Sequence, residues 1–154
     1  MVSLQAMLWW IYRKTFPVHQ FGGVELIDIR MNRNSPDDAK RFAEAMAYIG
    51  EVPAFLELVR AEINFVGFAH HPRESISLRL RAYITPMSGH EGKNSYYLAT
   101  RLVWAAAYLR RLKGVRTTAE RACAYALDEQ LRFAAHFPDY SAWRRYLLKE
   151  NSQE

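Results

Sequence analysis

Apolar side chains recur at helical spacing along most of this chain and at strand spacing in two short stretches. Leu4, Met7, Leu8 and Ile11 follow the i, i+3, i+4, i+7 rule of one helical face. Pro17 to Gly23 then read as a connection, and residues 24–31 predict a strand with Ile27, Ile29 and Met31 on one face. A second helix start is well marked: Ser35 can cap, Pro36 suits the first helical position, and Asp37 and Asp38 complement the positive helix end. Its stripe is Phe42, Ala45, Met46 and Ile49, closed by Gly50. A third helix starts at Pro53, with Phe55, Val59, Ile63 and Val66 keeping helical spacing up to Gly67.

Over residues 75–85 the period changes. Ile76, Leu78, Leu80, Ala82 and Ile84 alternate with Ser75, Ser77, Arg79, Arg81, Tyr83 and Thr85, the pattern of a half-buried strand with an Arg-bearing outer face. A loop from Pro86 to Asn94 feeds a helix whose seam is Leu98, Leu102, Ala105, Leu109 and Leu112, with Arg110, Arg111 and Lys113 in its last turn before Gly114. Thr117 and Glu120 fit a capping box. Cys123, Leu127, Leu131 and Ala134 supply the stripe of the helix that follows. Pro138 ends it, Asp139 can cap a last helix, and Tyr140, Trp143 and Leu147 face inward from that helix. The expected fold is α+β and predominantly α-helical: about six helices with a small two-stranded β element at residues 24–31 and 75–85. One globular domain over residues 1–154 is expected, with a polar tail at 149–154.

Composition adds three constraints. Half of the 154 residues are apolar, which excludes the disordered class. The single cysteine, Cys123, excludes an intramolecular disulfide framework and favours a reducing, cytoplasmic home. The apolar patch at Met7 to Tyr12 is far shorter than a membrane span and lacks the flanks of a signal peptide, so no membrane span is expected. Charge is unevenly spread. Residues 1–92 balance ten Lys/Arg against ten Asp/Glu, whereas residues 93–154 carry eleven against six, which accounts for the whole net charge of +5.

That excess points to candidate chemistry. Arg101, Arg110, Arg111, Lys113, Arg116 and Arg121 face one acid, Glu120, around the junction at Gly114, a footprint suited to phosphate backbones. The alternating segment adds Arg79 and Arg81. A loop carrying Gly89, His90, Glu91, Gly92 and Lys93 precedes a helix N-terminus that can hold an anion, although its spacing is not that of a P-loop. His70 and His71 read as lying about 30 Å from His90 along a straight strand, so no metal site is expected. Arg132 and His136 are similar in spacing to the Arg-x4-6-His motif of the small helical ribonucleases of the higher-eukaryote-and-prokaryote nucleotide-binding superfamily. Three residues intervene instead of four and Phe133 replaces a polar residue, so no assignment follows; His136 reads as packing or capping near Phe137 and Pro138.

Two classes of function remain. The first is a small basic binding module, a nucleic-acid-binding or accessory subunit of a larger assembly, contacting nucleic-acid backbone or an acidic protein surface through Arg79, Arg81, Lys93, Arg101, Arg110, Arg111, Lys113 and Arg116, with Trp9, Trp10, Tyr96 and Tyr97 available for stacking. The second is a small enzyme acting on a phosphorylated or acidic substrate around Arg81, His90, Glu91 and Lys93. The absence of a complete catalytic motif favours the module, without a cofactor, alone or as an oligomer.

Overall fold

A computed structural model describes residues 4–30, 36–70, 73–87, 94–114 and 116–152. The architecture is α+β and mostly helical, with six helices and a sheet of five strands among the described residues, three more strands than the pattern predicts. Helix α1 (Leu4–Thr15) leads into a hairpin of β1 (Val18–Phe21) and β2 (Val24–Asp28). Its two-residue turn is Gly22 and Gly23, at φ 56° and 82°, left-handed angles that glycine adopts without strain. Helices α2 (Pro36–Gly50) and α3 (Pro53–Glu62) return the chain to β3 (Phe65–Phe68), parallel to β2. Strands β4 (Ser75–Ser77) and β5 (Ala82–Thr85) form a second hairpin, with β5 parallel to β3. The sheet order is β1-β2-β3-β5-β4. Helices α4 (Ser95–Gly114), α5 (Ala119–Ala134) and α6 (Tyr140–Asn151) complete the chain.

The sheet is apolar on both faces. Leu26, Val66, Phe68 and Tyr83 join Phe42, Ile49, Val59, Leu98 and Leu102 in the main core. Ile27, Phe65 and Ala82 point the other way, onto Trp9 and Tyr12 of α1 and Phe16 just after it. Gly67 lies on this second face, where an added Cβ would stand 2.7 Å from the Ile84 Cδ1. A third cluster joins Tyr96, Tyr97, Ala134 and Leu147 with Trp143, fixing α6 to the start of α4. The inward placement read for Leu147 and Trp143 holds.

Five sequence expectations change. Residues 75–85 are a hairpin, because four residues, 78–81, turn the chain between β4 and β5. A four-residue turn reverses parity across the pair: Ile76 stands opposite Tyr83 in the main core, while Ala82 and Ile84 face α1, so an alternation that reads as one face is split between two. The helix read through Val66 stops at Glu62, with Ile63 extended, because Phe65–Phe68 completes backbone pairing between β2 and β5. On α1 the docked residues are Trp9 and Tyr12, joined by Phe16 just after the helix, leaving Leu4, Met7 and Ile11 exposed. Thr118 rather than Thr117 caps α5, its hydroxyl accepting from the Arg121 N–H at 3.3 Å, and Asp139 takes a left-handed conformation with no side-chain cap. Ser35 and Met31 lie outside the described residues.

Candidate nucleic-acid interface

Positive side chains that are distant in sequence meet where the β4–β5 turn packs on the end of α4. Arg81 holds φ 51° and turns its guanidinium onto the end of α3, donating to the carbonyls of Ala61 and of Glu62, the latter at 3.1 Å. The same guanidinium pairs with the Glu62 carboxylate at 2.9 Å, and Arg110 Nε reaches the other Glu62 oxygen at 3.3 Å. Cations belong at a helix C-terminus, where the free carbonyls concentrate negative charge. Glu62 is only 6% exposed, so one buried carboxylate anchors two arginines and leaves the pair with net positive charge. A cavity of about 240 Å³ opens here, lined by Leu78, Arg81, Leu109, Leu112 and Lys113. Leu78 and Arg79 sit exposed on the turn, and Arg110, Lys113, Arg116 and Arg121 are exposed along the α4–α5 connection.

Two arginines of the predicted set stand apart. Arg111 is half-buried, its guanidinium 5.6 Å from the centroid of the Tyr125 ring. Arg101 is 3% exposed and pairs with Glu74, which also accepts from the Tyr83 hydroxyl. Burial works to lower the basicity of Arg101, but the Glu74 carboxylate leads the opposing interactions and the net shift is upward, so the guanidinium stays charged. Arg101 lies 4.5 Å from the centroid of the Trp104 ring, and Tyr108 stacks on Trp104 at 5.3 Å with 6° between the planes. These side chains line a second cavity of about 320 Å³ together with Glu74, Tyr83 and Cys123. Leu78 lines both cavities, so the two lie side by side under the hairpin turn.

The loop-based site divides differently. His90, Glu91 and Lys93 lie outside the described residues, as does His71. Arg81 precedes β5, whereas the chain runs on towards His90 from the opposite end of that strand. The single straight strand that the separation of about 30 Å assumes is not formed: β3 and β5 are parallel, and Phe68 pairs with Thr85, so the two strands finish side by side at one end of the sheet. At that end Asp28 and Asp38 clasp the buried Arg30 at 2.9 and 2.7 Å. His136 is exposed, its Nδ1 2.9 Å from the Arg132 carbonyl oxygen and its ring 6.0 Å from Phe55, and Arg132 pairs with Glu129 at 2.6 Å.

No protein-family model, curated protein or solved structure matches this chain.

The arrangement at the α4–α5 connection suits electrostatic recognition of a polyanion. Exposed cations are spread over two elements, and apolar Leu78, Leu109 and Leu112 lie among them. Sequence reasoning found these cations but missed Glu62, Glu74, Trp104 and Tyr108. The one available signal was the run Leu102 to Leu109, apolar around the full helical turn and therefore a sign of a helix buried on all sides. Among the described residues no three His, Cys, Asp or Glu side chains converge as a metal set, and no described helix is long and apolar enough to cross a membrane.

Proposed function

We propose that this protein is a nucleic-acid-binding module that holds the phosphate backbone along the β4–β5 turn and the α4–α5 connection. The observation that carries this reading is the convergence of Arg81 with Arg110 and Lys113 beside the buried Glu62, with Arg79 exposed on the same turn as Arg81 and Arg116 and Arg121 exposed along the α4–α5 connection. Cations from separate elements on one surface neutralise several phosphates at once and release their counterions, which makes affinity strongly salt-dependent. Contacts of this kind position a strand without reading its sequence.

The test is a salt titration of binding to short single- and double-stranded oligonucleotides. For single strands each phosphate contact adds roughly 0.7 to the steepness of log K against log salt, so Arg79→Ala, Lys113→Ala and Arg116→Ala combined should reduce that slope by about 2. Absence of binding at low salt, or an unchanged slope in the triple variant, overturns the reading. Binding of polyglutamate in place of oligonucleotides would assign the same surface to an acidic protein partner.

A further inference from the structure

We infer that the cavity beside the basic surface receives one unpaired nucleobase of a single strand whose phosphates lie on that surface, an inference that rests on the reading above. Arg101, Trp104 and Tyr108 form a ladder along α4, the guanidinium 4.5 Å and the Tyr108 ring 5.3 Å from the Trp104 ring centroid. Tyr108 is the half-exposed rung, and a flat ring laid on it extends the ladder by one step. The cavity, at about 320 Å³, falls at the lower end of the range of small-molecule sites, about 300–1,000 Å³. Its lining is not purely apolar. Glu74 supplies a carboxylate, and the Trp104 indole N–H is buried with no hydrogen-bond partner. The Glu74 carboxylate is an acceptor for the amino or ring N–H groups of a base, so a heteroaromatic ring fits the lining better than a hydrocarbon does.

Position selects a base rather than a free aromatic molecule. Leu78 separates this cavity from the one that Arg81 and Lys113 line, so a strand tracking the cations passes the mouth of the aromatic cavity. Apolar side chains beside basic ones are what single-strand binders use, the cations holding the backbone while aromatic faces take successive bases.

The chain's single cysteine, Cys123, lines the cavity and serves as a reporter. Its alkylation by iodoacetamide is measured in the full chain alone, with a single-stranded oligonucleotide, and with an abasic strand of equal length. The base-bearing strand should slow alkylation, whereas the abasic strand, held by its phosphates, should leave the rate unchanged. Affinity supplies a second readout that does not depend on thiol reactivity. Tyr108→Leu keeps bulk but removes the π face, and should weaken the base-bearing strand roughly 5- to 150-fold and the abasic strand hardly at all, with Tyr108→Phe behaving as the native chain. Equal protection by both strands, or equal loss of affinity for both in Tyr108→Leu, overturns the base site while leaving the backbone reading intact. Failure of both strands to bind overturns both readings.

Discussion

The first three turns of α4 and its last turn place the same kinds of side chain in opposite surroundings. From Tyr96 to Ala107 the helix is buried on every side, by the sheet, by α2 and α3, and by α5. Arg101 therefore pairs with Glu74 through Nε and Nη2 and stacks on Trp104. Six residues beyond Trp104, Arg110 is exposed and shares Glu62 with Arg81, and Lys113 stands in solvent. Burial decides the role of each cation. In a low-dielectric interior an arginine is fixed by the carboxylate that keeps it charged, whereas at the surface it remains available to an outside anion.

The largest expected effect breaks the buried half. Arg101→Ala leaves the Glu74 carboxylate without its main partner and should cost about 3–5 kcal/mol in denaturant unfolding. Arg101→Met combined with Glu74→Leu should recover much of that loss, because an apolar pair needs no charge compensation. A double variant that loses the sum of its singles would show that the two groups are not coupled.

A smaller effect comes from the first turn. Burial, with a contribution from Tyr48, raises the Tyr96 phenol from its ordinary range to about 12. A phenol is neutral when protonated, so the folded state holds this proton more tightly than the unfolded chain. Its contribution is complete below about pH 10 and is lost as pH rises from there to about 12, amounting to roughly 2 kcal/mol. Melting temperature against pH should accordingly fall less steeply across that window in Tyr96→Phe. Equal slopes in the two proteins would remove Tyr96 as the cause.

The smallest expected effect belongs to the exposed half. Arg79→Ala, Lys113→Ala and Arg116→Ala should each change stability by less than about 0.5 kcal/mol, as exposed surface changes usually do. A larger loss at any of the three would erase the contrast between the two ends of α4.

Much of the helical part of this fold is legible in the sequence, since Phe42, Met46 and Ile49 or Leu98, Leu102 and Leu109 repeat a period that one apolar face imposes. The β1–β2 hairpin was also open to reading, because paired glycines at 22 and 23 between short apolar runs are a turn signal. β3 was hidden by chance helical spacing of Ile63 and Val66, and the β4–β5 turn by an alternation that continues through it. The exposed cations of the candidate interface stand in the sequence as a cluster. Their neighbours do not, since the Glu62 that binds Arg81 and Arg110 is 19 and 48 residues away, and the Glu74 that holds Arg101 is 27 away. Pairing at such separations is fixed by topology, which local periodicity does not encode.

The docking of α1 also sets an order of events during synthesis. Trp9, Tyr12 and Phe16 rest on Phe65, Ala82 and Ile84, all made long after the helix itself. At about 5–20 residues per second, the first helix leaves the ribosome several seconds before its seat exists. Throughout that interval both its docking face of Trp9, Tyr12 and Phe16 and its outer Leu4, Met7, Trp10 and Ile11 face water, an apolar segment of the kind that chaperones hold.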